Sequence, residues 1–288
     1  MANTILTPQI ISKEALLQLR NSSVMSKLVY RDYSEDFVNV GDTITIRKPA
    51  TFEAKEFNQS SGIVVQDATE TGVSVKMDKL LDVSFAVTSK EMSLDIADFS
   101  EQFIKPAMSA FADKIDKYLI ELESTITNRV NSTDPKADMI AARKYLTANS
   151  APLTDRNYVY NSDVEADLLS TDLFVAAQQV GDEGTALREA SLGRKFGLDC
   201  YVDQNIAPAT ETGKAKAIAF HKNAFALVTR PLALPQGASK ASIENYDGFA
   251  LRVVYGYDMD KKTDTVSIDM LCGVKTLDAS LAAVVQKQ

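Results

Sequence analysis

Apolar residues along this chain follow helical spacing in some stretches and strand spacing in others. From residue 7 to about residue 37 they recur at helical spacing, first around Leu19 and then around Leu28. Thr7-Pro8 predicts the start of the first of these helices. The two short helices carry too little apolar surface for a core of their own. We therefore expect this arm to lie on the rest of its own chain or on a neighbouring subunit.

Between residues 38 and 90 the spacing changes to the alternation of strands. It runs through Val40–Ile46, returns through Val73–Met77 and continues through Val83–Val87. This pattern predicts the two arms of an extended hairpin. The polar segment between them, of about two dozen residues, is too long for an ordinary turn and predicts a projecting loop. A structureless insertion is the alternative.

One apolar stripe is the strongest single pattern in the sequence. Its members follow one another at intervals of three and four residues: Ile104, Met108, Phe111, Ile115, Tyr118, Leu122 and Ile126. The stripe predicts a helix from Pro106 to Asn128, about 34 Å long at about 1.5 Å per residue. Three heptads are few for a coiled coil, so we expect this spine helix to pack on a sheet of its own domain.

The rest of the chain predicts a mixed block followed by strands. A helix begins at Asp134-Pro135, a strand covers Asn157–Asn161, and another follows at Cys200–Val202. Residues 249–255 and 266–272 then alternate as a long antiparallel hairpin with a polar turn between them. Together these elements predict an α+β fold.

Composition narrows the possible functions. The 31 basic and 39 acidic residues give a formal net charge of -8, which argues against a protein that binds by neutralising many phosphates. No apolar run approaches the roughly 20 residues of a membrane-spanning helix, and residues 1–4 lack the basic then apolar pattern of a signal peptide, so none is expected. Cys200 and Cys272 lie far apart, so we expect both to be reduced and buried.

The sequence offers few residues that could form a catalytic or metal-binding site. We therefore expect no enzymatic activity, no cofactor and no bound metal. His221, the one histidine, has no recognisable partner and is interpreted as a residue at a strand-to-helix corner. Three aspartates, Asp258, Asp260 and Asp264, resemble part of a calcium-binding loop, but the central glycine and the closing glutamate of such a loop are missing. We therefore interpret them as a solvated hairpin tip. Glu121 and Glu123 are expected to form a solvated helix flank.

Five phrases carry a resemblance to the coat proteins of tailed bacteriophages. The first is Val-Gly-Asp-Thr-Ile-Thr-Ile-Arg-Lys-Pro at residues 40–49. The others are residues 99–116, which resemble the start of a spine helix, residues 187–206, residues 219–227 and Gly-Val-Lys-Thr-Leu at 273–277. Each phrase alone is weak, but together they span almost the whole chain in the order of that family.

The resemblance implies the Hong Kong ninety-seven (HK97-like) capsid fold, in the branch related to a Salmonella phage that uses a separate scaffolding protein. The expected organisation is an N-terminal arm (1–37), an extended loop with its base strands (38–90), a peripheral domain with the spine helix (91–133), an axial domain (134–240), a peripheral hairpin (241–272) and a return to the axial domain (273–288). No extra inserted domain or cleavable leading domain is expected.

The implied function is a major capsid protein that assembles with copies of itself into the shell around a phage genome. The loop from about residue 50 to 72 is expected to lie across an adjacent subunit and form charge pairs. The expected subunit-contact residues are Arg47, Lys48, Glu53, Lys55 and Glu56, with Arg20 and Tyr30 of the arm.

The implied partners are hexamers and pentamers of the chain itself, a scaffolding protein, a portal protein and a decoration protein. Packaged DNA enters only as non-specific contents, and no membrane is involved. The protein is expected in the virion, after assembly in the cytoplasm of the host bacterium. Three alternatives stay open: an encapsulin-type compartment of the same fold, a tail or adhesin protein, and a cytoplasmic enzyme of unrecognised type.

Overall fold

The computed structural model describes residues 12–13, 15, 19, 23–31, 43–48, 52, 54–57, 59, 62–63, 65, 71–88, 103–171, 192–207, 213–236, 240–246, 249–261 and 263–287. The α-helices whose bounds are described are α1 (Met25–Leu28), α2 (Lys105–Glu121), α3 (Pro135–Ala148) and α4 (Ser162–Leu169). The strands are β1 (Thr43–Lys48), β2 (Thr71–Lys76), β3 (Lys79–Thr88), β4 (Arg129–Asn131), β5 (Arg156–Tyr160), β6 (Arg194–Lys195), β7 (Leu198–Val202), β8 (Ala215–His221), β9 (Phe225–Arg230), β10 (Lys240–Tyr246), β11 (Phe249–Asp258), β12 (Thr263–Thr276) and β13 (Ala282–Gln286).

The predicted spine helix is confirmed as α2, with Pro106 in its first turn. It ends at Glu121, earlier than predicted, and the chain continues as a 3-10 turn over Leu122–Thr125. The hydroxyl of Thr125 donates to the Leu122 carbonyl at 2.7 Å, and that of Ser124 to the Glu121 carbonyl at 3.1 Å. Side-chain bonds of this kind compete with the bonds that would continue an α-helix.

The spine helix packs on a sheet of its own chain, as the sequence predicted. Phe111, Ile115 and Leu119 on its apolar face are buried in one cluster with Val253 and Ile268 of the sheet. This sheet has the strand order β10-β11-β12-β3, and β9 also pairs with β12. The long hairpin is confirmed, since β11 and β12 are antiparallel from Arg252 opposite Asp269 to the tip.

The strand β3 belongs to this sheet and not to the extended hairpin. Its pattern was expected to continue the second arm of that hairpin. In the structure β1 pairs with β2, whereas β3 pairs with β12 from Lys79 opposite Cys272 to Thr88 opposite Thr263. Val83 and Phe85 of β3 pack against the cluster around α2, so burial of their apolar face decides the pairing.

A second sheet has the strand order β4-β13-β8-β5-β7-β6. Its central strand β5 is buried along its whole length. Helix α3 covers it with Met139 and Leu146, which share a core cluster with Tyr158 and Tyr160. The predicted helix start is confirmed, because the Asp134 carboxylate accepts from the N–H of Ala137 as an N-cap.

The arm lies on its own chain wherever the structure describes it. Ala15, Leu19, Met25 and Val29 have no exposed surface and belong to the core cluster that contains Phe111 of the spine helix. Ser12, Lys13, Ala15 and Leu19 are helical, in agreement with the predicted first helix. Of the two positions that the sequence left open, these residues of the arm take the one on their own chain.

The cysteines are unpaired, and only one of them is fully buried. Cys272 is buried as expected, whereas Cys200 is only half-buried in β7. Burial raises the pKa of each thiol to about 12, so both are protonated at neutral pH. None of the helices described is both long enough and apolar enough to span a bilayer.

Candidate functional site

The segment between β1 and β2 exposes large apolar side chains. The hairpin itself is confirmed, with Thr43 opposite Lys76 at its base. On the described residues of the joining segment, the exposed fractions are 65% for Phe52, 72% for Phe57, 83% for Ile63 and 85% for Val65. Scattered exposed apolar residues are ordinary, whereas four on one segment make that segment a candidate contact surface. We call these four side chains the loop patch.

Four of the predicted contact residues lie on this hairpin or its loop. Arg47 and Lys48 are the last two residues of β1, and their side chains lie outside the described part. Lys55 and Glu56 are exposed beside the loop patch. The structure thus brings these residues into one hairpin, and their contact with a second subunit stays a prediction.

The remaining predicted contact residues give a different result. Arg20 and Glu53 lie outside the described residues. Tyr30 joins the arm to β9 of its own chain, since its N–H donates to the Phe225 carbonyl at 3.0 Å and its carbonyl accepts from Leu227 N–H at 3.1 Å. Its backbone therefore holds the arm in place, and a role of its side chain between subunits stays a prediction.

The base of the hairpin rests on β12 through a close approach of two backbones. A Cβ atom on Gly273 would lie 2.5 Å from the Lys76 carbonyl oxygen and 3.1 Å from Cα of Met77. Only a residue without a Cβ lets β2 cross β12 at this distance. A separate apolar cluster holds the crossing together: Ile46, Val75, Met77, Ala226, Val228 and Leu277.

Gly273→Ala should lower the free energy of unfolding by about 1–3 kcal/mol, because backbone atoms must shift to admit the methyl group. Urea denaturation followed by circular dichroism measures this change. Gly256→Ala is the matched control, since a Cβ at that position in β11 meets nothing within 4 Å. Equal denaturation midpoints for the two variants would contradict the assigned role of Gly273.

The expected solvated flank of the spine helix is wrong for one of its two residues. Glu121 is exposed, but Glu123 is only 9% exposed. Its Oε2 accepts from the backbone N–H of Ala215 at 2.9 Å, and Lys214 Nζ lies 4.0 Å from Oε1. The end of α2 at Glu121 turns the following residues inward, which helical spacing alone could not predict.

The histidine and the acidic hairpin tip have structural roles. His221 ends β8 at the start of a 3-10 turn, so its predicted corner position is confirmed. Its Nδ1 accepts from Asn223 N–H at 3.2 Å, and burial lowers its pKa below the ordinary value. Asp258 Oδ1 accepts from the N–H groups of Asp260 and Lys261, which confirms the predicted tip.

Two surface clefts lie in the described part of the chain. In this part of the chain no group of three or more His, Cys, Asp or Glu side chains is placed to hold a metal ion. One cleft beside α2 is lined by Lys117, Glu123 and Lys214, and another beside β2 by Lys76 and Lys275 with other residues. Neither lining contains histidine or cysteine, and both mix lysines with carboxylates, as solvated surfaces do.

Sequence reasoning missed several buried carboxylates, among them Asp203 after β7 and Asp116 on α2. Each of these two is only 2% exposed. Asp116 accepts from the backbone N–H groups of Val24 and Ser26 in the arm. Asp116 lies four residues from both Ala112 and Ile120, which are buried on the same helix. A polar residue on an apolar helical face was a signal in the sequence, although its partners depend on the fold.

Comparison with known proteins gives matches in structure alone. Neither a protein-family model nor a curated protein matches the sequence. A chain from Mycobacterium phage Che8 matches with a TM-score of 0.68 and 19% identity, over 91% of this chain and 90% of its own. The capsid of Cyanophage P-SCSP1u matches with a TM-score of 0.64 and 11% identity, over 92% of this chain and 88% of its own. A virus-like particle from Pyrococcus furiosus matches with a TM-score of 0.54 and 12% identity, over 96% of this chain and 98% of its own.

The chain has the HK97-like capsid fold. The α+β class and fold expected from the sequence are therefore confirmed. At identities of 11–19% these matches establish the fold and do not support the narrower branch related to the Salmonella phage. That assignment stays a prediction.

Proposed function

We propose that this chain is the major capsid protein of a tailed bacteriophage, which assembles into an icosahedral shell around a double-stranded DNA genome. The loop patch carries the proposal. In the isolated chain, four large apolar side chains of the loop stay exposed to solvent: Phe52, Phe57, Ile63 and Val65. Exposed apolar surface of this kind is typical of a site that contacts another protein. A second copy would bury it, and full burial of a side chain of this size contributes about 1.5–3 kcal/mol.

In the proposed shell, the loop of one subunit lies across an adjacent subunit. The loop patch supplies the apolar contact, and Lys55 and Glu56 supply charge pairs at its edge. Because every copy presents the same loop and the same receiving surface, the contact repeats around symmetry axes and closes a shell. The protein therefore acts by assembly and not by catalysis.

We also propose how the subunit is divided. The five-stranded sheet with α2 forms the peripheral domain, and the six-stranded sheet with α3 and α4 forms the axial domain. Strand pairing supports this division and differs from the expected bounds at two strands: β9, within 134–240, pairs with β12 of the first sheet, and β4, within 91–133, pairs with β13 of the second. The strand β12 holds the base of the extended hairpin against the first sheet.

The partners of this function are those of a phage particle: a separately encoded scaffolding protein, a portal protein and a decoration protein. Assembly takes place in the host cytoplasm, and the finished protein is part of the virion. Packaged DNA is held non-specifically. The net charge of -8 supports a wall that does not adhere to the genome it encloses.

A protein compartment without a phage genome is the second candidate function. The virus-like particle from Pyrococcus furiosus favours it, because the match covers 96% of this chain and 98% of that one. The two candidates share the loop contact and differ only in what the shell encloses.

Expression of the full chain with and without its neighbouring reading frames tests the proposal. Gradient sedimentation and negative-stain electron microscopy should reveal closed shells or capsomer-like rings. Tubes, or a stable monomer even beside a scaffolding candidate, would contradict the shell function. Nuclease-protected DNA in particles from infected cells would support the phage capsid, whereas enclosed protein cargo would favour the compartment.

A further inference from the structure

The cleft beside β2 gathers lysines around a single aromatic ring. It lies where the base of the extended hairpin meets the spine helix and the end of β12. Its floor is apolar and half-buried, and is formed by Tyr118, Leu122 and Val274. The Nζ atoms of Lys79 and Lys114 lie 5.3 Å and 5.0 Å from the centre of the Tyr118 ring. Both ammonium groups are therefore close enough for cation–π attraction to the same ring.

Two further lysines, Lys76 of β2 and Lys275 of β12, line the same cleft and are exposed. We call the four lysines and the ring the lysine cleft: Lys76, Lys79, Lys114, Lys275 and Tyr118. Asp78 and Glu121 also line it. Among the ion pairs between described residues, however, none involves any of the four lysines. Four positive charges thus lie together in a chain whose net charge is -8.

The extended loop has the chemistry that this cleft would bind. Clustered ammonium groups repel one another, so an anionic partner stabilises them, and the apolar floor favours a partner that also carries apolar side chains. Between Lys48 and Thr71 the sequence has four acidic residues and one lysine: Glu53, Glu56, Asp67, Glu70 and Lys55. The loop patch on the same segment adds side chains that are 65–85% exposed. The loop therefore complements the lysine cleft both in charge and in apolar surface.

The extended hairpin carries the loop away from the cleft of its own subunit. Lys76 pairs with Thr43 at the base of the hairpin, whereas Thr71 pairs with Lys48 at the far end, where the loop begins. Five residues of strand separate these two ends, about 17 Å at roughly 3.4 Å per residue. None of the described loop residues lines the cleft. The cleft is thus open to a loop that comes from another copy.

We propose that the lysine cleft is the surface on which the extended loop of a second copy docks. This inference rests on the proposed shell function and names the receiving surface of its loop contact. Loop carboxylates lie among the four ammonium groups, and apolar side chains of the loop patch cover the Tyr118 ring. Because each copy has its loop and its cleft at different places on its surface, the contact is heterologous and passes from copy to copy around a ring.

Binding of a loop peptide tests the docking without shells. A fluorescein-labelled peptide of residues 49–70 is titrated with the full-length subunit, kept below its assembly concentration, and fluorescence anisotropy gives the dissociation constant. The wild-type subunit should bind the peptide, and the binding should weaken as salt rises. Lys76→Glu combined with Lys275→Glu, the cleft variant, should weaken binding by at least about tenfold, because two attractive charges become repulsive.

The matched control carries the same change of charge on α3, with Lys136→Glu and Lys144→Glu. All four substituted lysines are exposed, so both variants should fold, which circular dichroism verifies. The control should bind the peptide as tightly as the wild type does. A wild-type subunit that does not bind the peptide, or equal affinities of the cleft variant and the control, would overturn the proposal.

A charge swap tests the same contact within the shell. Glu53→Lys combined with Glu56→Lys in the loop should abolish shells, and so should the cleft variant, whereas all four changes together should restore them because opposite charges meet again. Sedimentation and electron microscopy measure the outcome. Shells from the cleft variant alone, or no shells from the combined variant when the wild type forms them, contradict the docking. A wild type that forms no shells but binds the peptide through the cleft refutes the shell function and leaves the docking intact.

Discussion

Replacing residues 52–66 with a short Gly-Ser linker should abolish closed shells while leaving a folded subunit. The replaced segment contains the loop patch, whose side chains are 65–85% exposed and contribute nothing to the core of their own chain. Both hairpin strands and the Gly273 crossing remain, so the subunit should keep its circular dichroism spectrum and denaturation midpoint. Sedimentation and electron microscopy measure the loss of shells.

Two full-length variants separate the apolar contact from the charge pairs. The first changes Phe52, Phe57, Ile63 and Val65 to serine and should also abolish shells, because it removes the apolar area without shortening the loop. The matched control changes the exposed neighbours Lys55, Glu56 and Gln59 to serine and should assemble with altered salt dependence. Shells of wild-type appearance from the linker variant would refute a role of the loop in assembly.

Arg252→Met should lower the free energy of unfolding by about 3–5 kcal/mol, because it leaves a buried carboxylate without its partner. Arg252 of β11 faces Asp269 of β12, with its Nη2 2.6 Å and its Nε 2.9 Å from the two carboxylate oxygens. The Asp269 side chain is only 7% exposed. A third donor of the guanidinium, Nη1, also bonds the Ala233 carbonyl, so the long hairpin and the segment after β9 depend on one side chain.

Urea denaturation compares this variant with Lys261→Met at the hairpin tip. Lys261 lies 3.9 Å from Asp258 but its side chain is 79% exposed, so its loss should change stability by less than about 0.5 kcal/mol. Adding Asp269→Leu to Arg252→Met should restore much of the lost stability, because no buried charge then remains unpaired. A small, equal effect of Arg252→Met and Lys261→Met would contradict the assigned role of this ion pair.

Local patterns predicted many of the elements correctly. The stripe through Phe111 and Ile115 predicted the spine helix, and alternation around Ile46 and Val75 predicted the extended hairpin. Helices and strands repeat their backbone bonds every few residues, so the spacing of apolar side chains along the chain is enough to reveal them. The corner position of His221 followed from the same local reading.

The candidate site was predictable only in part. The sequence indicated the loop and its charged residues, and the structure adds the exposure of the loop patch. The crossing at Gly273 could not be predicted, since its reason is the carbonyl of Lys76, nearly two hundred residues away in the chain. The bonds from the arm to Asp116 could not be predicted either, because their donors lie about ninety residues earlier in the chain. The sequence showed only that a carboxylate lies on the apolar face of the helix.

Sequence periodicity therefore established the kinds of elements, their order along the chain and the α+β class. Tertiary structure alone decided that β3 joins β12, that Glu123 turns inward and that the arm lies on the spine helix of its own chain. The physical reason is the distance along the chain between the residues that interact. A helix or strand pattern depends on neighbours within a few residues, whereas strand partners and buried charges depend on groups that meet only after the chain has folded.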